Sequence, residues 1–331
     1  MLLKDHCDGD DLDLVLLVRD AELRQKKDGG EFLKLTLGDR TGAVAAMVWE
    51  VTPPVLELCT PGAAVHVHGR LEQHERWGRQ LKVRALRTPH PDAVDKAELH
   101  AGPPRGPEQM EADLRELVAT VRNPHLAALL DALLGPTTQT WRRFRDAPAA
   151  KHYHQAYRHG LLEHSLTVAQ SVSGLSATFP GIDRDLAVTG ALLHDIGKLD
   201  AYAAGPAAID LTDAGRLLGE IPLGYYRVRQ AMEALPGFPP ALAQALGHII
   251  LSHHGSLEHG SPVIPATREA TLVHMADNLG GRLGSFDRLQ KELPPGAEWS
   301  AFDRAIGGPV YFGDLGTGDA VAAPAADPLA A

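Results

Sequence analysis

At 331 residues, with 44% hydrophobic composition and a formal net charge of −10, the chain has room for about two globular domains and lacks the basic surplus with which proteins coat nucleic acid non-specifically. It contains no run of about 18 uncharged apolar residues and no basic-then-apolar leader, so neither a membrane span nor secretion is expected, and the chain is read as cytoplasmic. Its two cysteines, Cys7 and Cys59, are too few for a disulfide framework and lack metal-motif spacing, whereas ten of its 17 histidines fall between His152 and His274 and direct attention to metal chemistry there.

In chain order, an acidic start at Asp8 to Asp13 gives way to three strand-like runs: Leu14 to Val18 and Ala43 to Trp49, both continuously apolar, and Glu31 to Leu37, where apolar and polar residues alternate. These short runs between turns predict three strands. Asp28-Gly29-Gly30 and the stretch Gly38 to Gly42 separate them with turn chemistry, and two further runs, Ala64 to Glu72 and Gln80 to Arg87, flank a loop at Glu75 to Arg79. Five short strands in about 90 residues predict a small barrel. The run Asp-Arg-Thr-Gly-Ala-Val-Ala-Ala-Met-Val-Trp from Asp39 to Trp49 resembles OB-folds of the anticodon-binding type, and residues 1–88 are assigned as an OB-fold nucleic-acid-binding domain. The resemblance implies a face on which aromatic and basic side chains carry a single strand, with Phe32, Arg76, Trp77, Arg79 and Lys82 as candidates. The alternative is that Phe32 and Trp49 belong to the core and the arginines to ordinary surface.

Residues 89–108 are rich in proline, mixed in charge and without apolar period, which marks a linker. From Gln109 the pattern turns helical: Met110, Leu114, Leu117, Val118 and Val121, then Leu126, Leu129, Leu130 and Leu133, recur at spacings of three and four. Between Trp141 and Arg158 aromatic and basic residues interleave, and Arg143, Lys151 and Arg158 are candidates for guiding a phosphate backbone; an ordinary helix with core aromatics and exposed arginines is the competing reading. Further helices are expected at 160–178, 183–199, 225–235, 239–253 and 266–283. The tail 313–331, mostly glycine, alanine, proline and aspartate and without periodicity, is expected to be disordered. The fold class is therefore multidomain, an all-β barrel followed by an all-α bundle over 109–312.

The stretch Gly190 to Lys198 is an apolar helical run ending in an imidazole, a carboxylate and an ammonium, with Gly197 small enough to admit a close neighbour. His194 and Asp195 would lie about 100° apart on a helix and reach one ion at its edge, while Lys198 shares the side of His194. His164, His253-His254 and Asp277 occur in similar helix-patterned surroundings.

Gly160 to Leu166 with Glu163-His164, Leu193 to Lys198 with His194-Asp195, Thr212 to Gly219, His248 to Pro262 with His253-His254, and Met275 to Asn278 with Asp277 resemble, in that order, the HD-domain metal-dependent phosphohydrolases, and among them most closely the YhaM-type 3′-to-5′ exoribonucleases. The resemblance covers about residues 140–290. It implies a first metal set of His164, His194, Asp195 and Asp277 and a second completed by His253 and His254. One departure stands out: Glu220 follows Gly219 where the family usually has histidine, so Glu220 is the candidate replacement ligand. His248 and His274 are candidates for orienting the ligands, or for the core. Mixed imidazole and carboxylate donors suit one or two divalent ions, Mn²⁺ first, with Mg²⁺, Fe²⁺, Ni²⁺ and Zn²⁺ as alternatives. Asp195 would bridge the ions and Lys198, with Arg158, would offset phosphoryl charge. The implied activity is 3′-to-5′ hydrolysis of single-stranded RNA, with single-stranded DNA also a possible substrate and the oligomeric state open. Two other readings remain: an HD phosphodiesterase acting on a cyclic dinucleotide or nucleotide, and a non-catalytic nucleic-acid-binding adaptor.

Overall fold

Period-two alternation closes the first part of the chain into a barrel with the spatial strand order β1-β2-β3-β5-β4. This is a computed structural model that describes residues 2–314 except 27–28, 75–77, 96–98, 100–101, 104, 151–154, 205–208, 294–295 and 304–305. Arg76, Trp77 and Lys151, together with the predicted tail beyond Asp314, lie outside the described residues.

The strands are β1 (Asp11–Gln25), β2 (Glu31–Asp39), β3 (Gly42–Val48), β4 (Ala64–His74) and β5 (Gly78–Arg87). Alternate side chains fill the interior: Leu12, Leu16 and Val18 from β1, Leu33, Leu35 and Leu37 from β2, Val44 and Ala46 from β3, Val65, Val67 and Leu71 from β4, and Leu81 from β5. Burying each such aliphatic side chain stabilises the barrel by about 1.5–3 kcal/mol. All neighbouring strands pair antiparallel except β3 and β5, which close the barrel in parallel through Ala45, Ala46 and Met47. A short helix α1 (Pro53–Leu58) connects β3 to β4, and Cys59 behind it is buried. The buried carboxylate of Asp39 organises the tight turn into β3, accepting the Thr41 amide at 2.7 Å and the Leu3 amide at 2.5 Å.

β1 outruns the predicted strand. Its alternation breaks at a register shift between Val18 and Asp20, yet the polar residues beyond continue to pair with β2 as far as Gln25↔Glu31. Backbone hydrogen bonding extends the strand where side-chain pattern gives no sign of it.

The second part is helical: α2 (Pro107–Ala119), α3 (Pro124–Leu134), α4 (Gln139–Asp146), α5 (Gly160–Ser176), α6 (Arg184–Leu193), α7 (Lys198–Ala201), α8 (Asp213–Leu218), α9 (Glu220–Ala234), α10 (Pro240–Ser252) and α11 (Arg268–Glu292). Side chains of Asn123, Thr138, Asp183, Thr212 and Thr267 cap α3, α4, α6, α8 and α11 by accepting first-turn amides, each such cap contributing about 1 kcal/mol. One apolar core runs through the bundle and includes Leu161, Leu162 and Leu166 of α5, Leu192 and Leu193 of α6, Ile249 and Ile250 of α10, and Val273 and Ala276 of α11. Among the described residues no helix is long and apolar enough to cross a membrane.

Three departures from expectation bear on the site. The single helix expected over 183–199 is two, because Ile196 and Lys198 donate to carbonyls three residues back, Leu193 and Asp195, and turn the chain between α6 and α7. A small hairpin, β6 (Tyr202–Ala204) and β7 (Ile209–Leu211), follows α7; strands of three residues are too short to show a period. Helix α9 begins at Glu220 rather than near Tyr225, which places the unusual glutamate on its first turn.

Candidate metal centre

Helix ends deliver most of the site. His164 stands on the first turn of α5, whose preceding residue His159 has φ of 70°, and the adjacent buried Glu163 accepts a hydrogen bond from the Tyr157 hydroxyl. The turn after α6 presents His194 and Asp195, the end of α10 presents His253 and His254, and α11 contributes Asp277 from its second turn and a half. Gly197 is tightly enclosed: a Cβ there would lie 2.0 Å from the Glu220 carbonyl oxygen and 2.4 Å from the Gly224 nitrogen. The neighbour that the sequence leaves room for is thus the start of α9, which brings Glu220 to the rim.

The donor atoms converge. His164 Nε2 is 3.1 Å from His194 Nε2, 3.1 Å from Asp195 Oδ2 and 3.1 Å from Asp277 Oδ1. His194 Nε2 is 3.4 Å from Asp195 Oδ2 and 3.8 Å from Asp277 Oδ1. The other oxygen of Asp195 faces His253 Nε2 at 3.6 Å, and Glu220 Oε1 lies 3.8 Å from His254 Nε2. Asp195 thereby stands between two sets of donors, with His164, His194 and Asp277 on one side and His253, His254 and Glu220 on the other.

The tautomers fit metal binding. His194, His253 and His254 each place Nδ1 against a backbone carbonyl, of Ala191, Ile250 and His259 at 2.7, 2.7 and 2.9 Å. A neutral ring donating from Nδ1 keeps its Nε2 lone pair free, and all three Nε2 atoms face the cluster. Asp195 Oδ1 and His253 Nε2 are fully buried without a hydrogen-bond partner, which is costly unless something of opposite character takes them up. Three overlapping trios, His164–His194–Asp195, His194–His253–Asp277 and Asp195–His253–His254, could each hold an ion. The set offers nitrogen and oxygen and no thiolate, which fits a borderline or hard divalent ion.

Charge is arranged accordingly. Burial opposes a charged His164, but hydrogen bonds and charges from Asp195 and Asp277 outweigh it and push the imidazole up to about 9. Burial likewise opposes both carboxylates, yet Lys198 and the imidazoles hold Asp195 well below the usual range, and His164 and His194 do the same for Asp277. Burial, together with His253, lowers His254, which keeps that ring neutral. Lys198 Nζ is 2.6 Å from Asp195 Oδ2, so the turn between α6 and α7 aligns the ammonium with the carboxylate rather than with His194.

Three further residues stand on the elements around the site. Tyr202, half-buried at the start of β6, is close enough to Lys198, Glu220 and Asp195 to feel their charges, and burial raises its hydroxyl pKa. It went unread in the sequence because its hairpin shows no period. His248 accepts the Ala266 amide at 2.9 Å, and His274 Nδ1 donates to the His253 carbonyl at 2.7 Å.

The nucleic-acid candidates divide. Phe32 stacks on Trp49 with centroids 5.2 Å apart and planes at 28°, Trp49 is 55% exposed, and Lys26 lies 5.5 Å over its ring. The pair is on the barrel surface and not in its core. Lys82 is also exposed, 3.9 Å from Glu72. Arg79, by contrast, is tied to Asp8 at 3.1 Å and to the His6 carbonyl. In the segment from Trp141 to Arg158, Trp141 and Phe144 are buried in the core. Arg143 binds the Leu199 carbonyl and Asp200, which Arg227 holds from its other oxygen at 2.6 Å, so Arg143, although exposed, is engaged in bracing α7. Arg158 is exposed and pairs with Asp146 at 2.9 Å.

Comparison with known proteins agrees with this geometry. The HD domain family model matches residues 161–281, which contain all of these donors. The chain is 32% identical over 289 residues to the 3′-5′ exoribonuclease YhaM of Geobacillus sp. (strain WCH70), covering 87% of each chain. It is 31% identical over 297 residues to the 3′-5′ exoribonuclease YhaM of Shouchella clausii (strain KSM-K16), covering 89% of this chain and 91% of the relative. A third relative of the same name, from Halalkalibacterium halodurans, is 31% identical over 289 residues.

Proposed function

This chain belongs to the YhaM family of HD-domain proteins, and from that premise we propose that it is a metal-dependent 3′-to-5′ exoribonuclease acting on single-stranded RNA. The observation that carries the reading is the convergence of His164, His194, Asp195 and Asp277 with His253 and His254 around buried donor atoms that lack partners.

His164, His194, Asp195 and Asp277 would hold the first divalent ion, and Asp195, His253 and His254, with Glu220 in place of the family's histidine, would hold the second. Mn²⁺ is our choice among the ions that such donors accept. When bound, such ions lower the pKa of a coordinated water towards about 7 and polarise a phosphoryl oxygen. The chain's own part is positional. The backbone carbonyls behind His194, His253 and His254 fix the rings, and the buried Asp195 keeps its charge through Lys198. Lys198 also supplies positive charge where the cleaved phosphate gains negative charge. The Phe32–Trp49 stack, flanked by Lys26, supports a role for the barrel in holding the unpaired strand, since stacking a base on such a ring contributes about 1–3 kcal/mol.

The test is digestion of end-labelled single-stranded RNA and DNA, with and without Mn²⁺, beside a cyclic dinucleotide. Shortening of the RNA from its 3′ end only when Mn²⁺ is added is expected. Metal-independent digestion, or turnover of the cyclic dinucleotide with the RNA left intact, would overturn the reading.

A further inference from the structure

The second donor pair stands on the end of a helix, and such ends fray unless something holds them. His253 and His254 follow α10 directly, and Gly255, with φ of 82°, turns the chain away. Three features fix this turn. Gly255 N donates to the Ser252 carbonyl at 2.8 Å, and His253 Nδ1 donates to the Ile250 carbonyl at 2.7 Å, both within the same segment. The third comes from another helix: His274 of α11 donates from Nδ1 to the His253 carbonyl at 2.7 Å. Its ring packs against Gly255, so close that a Cβ there would be 2.1 Å from His274 Cε1 and 2.3 Å from Nε2. His274 is three residues before Asp277, one turn along the same helix.

We propose that His274 is a positioning residue that fixes the His253–His254 pair against Asp277, and thereby sets the second half of the metal centre at its distance from the first. The inference rests on the metal-dependent reading given above. One rigid helix carries both Asp277 and the brace, so the two donor sets cannot drift apart while the brace holds. Gly255 is required for the same reason, because any side chain there would displace the imidazole. His274 need not touch an ion; it acts through the backbone of His253.

Titration calorimetry of the full chain with Mn²⁺ tests this, using the unaltered protein, His274→Ala and His274→Asn. The unaltered protein is expected to bind two ions. In His274→Ala the first ion should bind within about threefold of the original affinity and the second about 10–100-fold more weakly, the range typical of losing a partner that orients a ligand. Asparagine can donate the same hydrogen bond from its amide, so His274→Asn should recover most of the second affinity. RNA turnover should follow, falling in His274→Ala at limiting Mn²⁺ and returning at high Mn²⁺. Two ions bound equally well by His274→Ala would overturn the proposal, as would equal weakening of both ions with no recovery in His274→Asn, which is the signature of general loosening. An unaltered protein that binds no Mn²⁺ would instead overturn the metal-dependent reading itself, and one that binds a single ion would remove the second site that His274 is proposed to place.

Discussion

Asp195 has an ammonium and three imidazoles within 3.6 Å, and its two oxygens face different neighbours. A neutral side chain of the same shape leaves the packing but removes the counter-charge of the buried Lys198, so Asp195→Asn should keep the fold at reduced stability and lose more turnover than the roughly 100-fold that follows from disturbing an outer partner. Single-turnover assays at saturating Mn²⁺ check this, and activity within tenfold of the original would exclude Asp195 as a ligand. His164 makes a separate prediction. In the metal-free protein its imidazole is pushed up to about 9, so at neutral pH an ion must displace a proton to reach Nε2. Apparent Mn²⁺ affinity should rise about tenfold per pH unit from neutrality and level off near pH 9, with proton release visible in calorimetry across buffers of different ionisation heat. The same shift stabilises the metal-free fold: because the folded value lies above the ordinary 6.5, that contribution is complete below about 6.5 and is lost as the pH rises through about 9. Binding without proton release would sink the assignment.

Among the elements, those whose function depends on period were legible and those that depend on a partner were not. The barrel strands show as short apolar or alternating runs between turns, and the helices carrying His164, His253 and Asp277 show spacings of three to four. The turn from His194 to Gly197 was hidden, because Leu193, Ile196 and Leu199 keep helical spacing straight through it, and only the hydrogen-bond pattern breaks. Arg79 and Arg143 read as free cations because sequence gives their charge but not the carboxylates and carbonyls that meet them in the fold, Asp8 and His6 for one, Asp200 and Leu199 for the other. The purpose of Gly197 was legible as a close approach, and the approaching element, the start of α9, was not. That contact yields an element-scale prediction. Gly197→Ala would drive a methyl group into the Glu220 carbonyl, which has no flexible side chain to yield. Overpacking of this kind costs about 1–3 kcal/mol, so the denaturation midpoint should fall, and the displaced Glu220 should weaken the second ion more than the first. An unchanged midpoint would mean that α9 does not rest on this glycine.

At the scale of the whole molecule the proposed function gives the two domains different parts of one substrate. The metal centre would contact only the phosphate being cut, so it could not by itself favour a long strand over a dinucleotide. Something must hold the chain upstream, and the described surface of the barrel offers the Phe32–Trp49 stack beside Lys26, while Arg79 at the start of β5 is already occupied. Losing two stacked bases at about 1–3 kcal/mol each weakens the grip by tenfold or more. The double change Phe32→Ala with Trp49→Ala should therefore slow digestion of long single-stranded RNA at least tenfold at sub-saturating substrate, mainly through KM. Hydrolysis of a small generic phosphodiester by the same Mn²⁺-loaded preparation should be unchanged, because neither ring contributes to the metal donors. Removing the cation separately, by Lys26→Ala, should leave a shallower dependence of RNA binding on salt, since one fewer phosphate is neutralised. Loss of both activities in the double variant would signal misfolding of the barrel rather than loss of grip, and circular dichroism of the strands separates the two. If the double variant folds and digests long RNA as fast as the original, the barrel does not hold the substrate, and the exposed Arg158 of the helical domain becomes the next place to look.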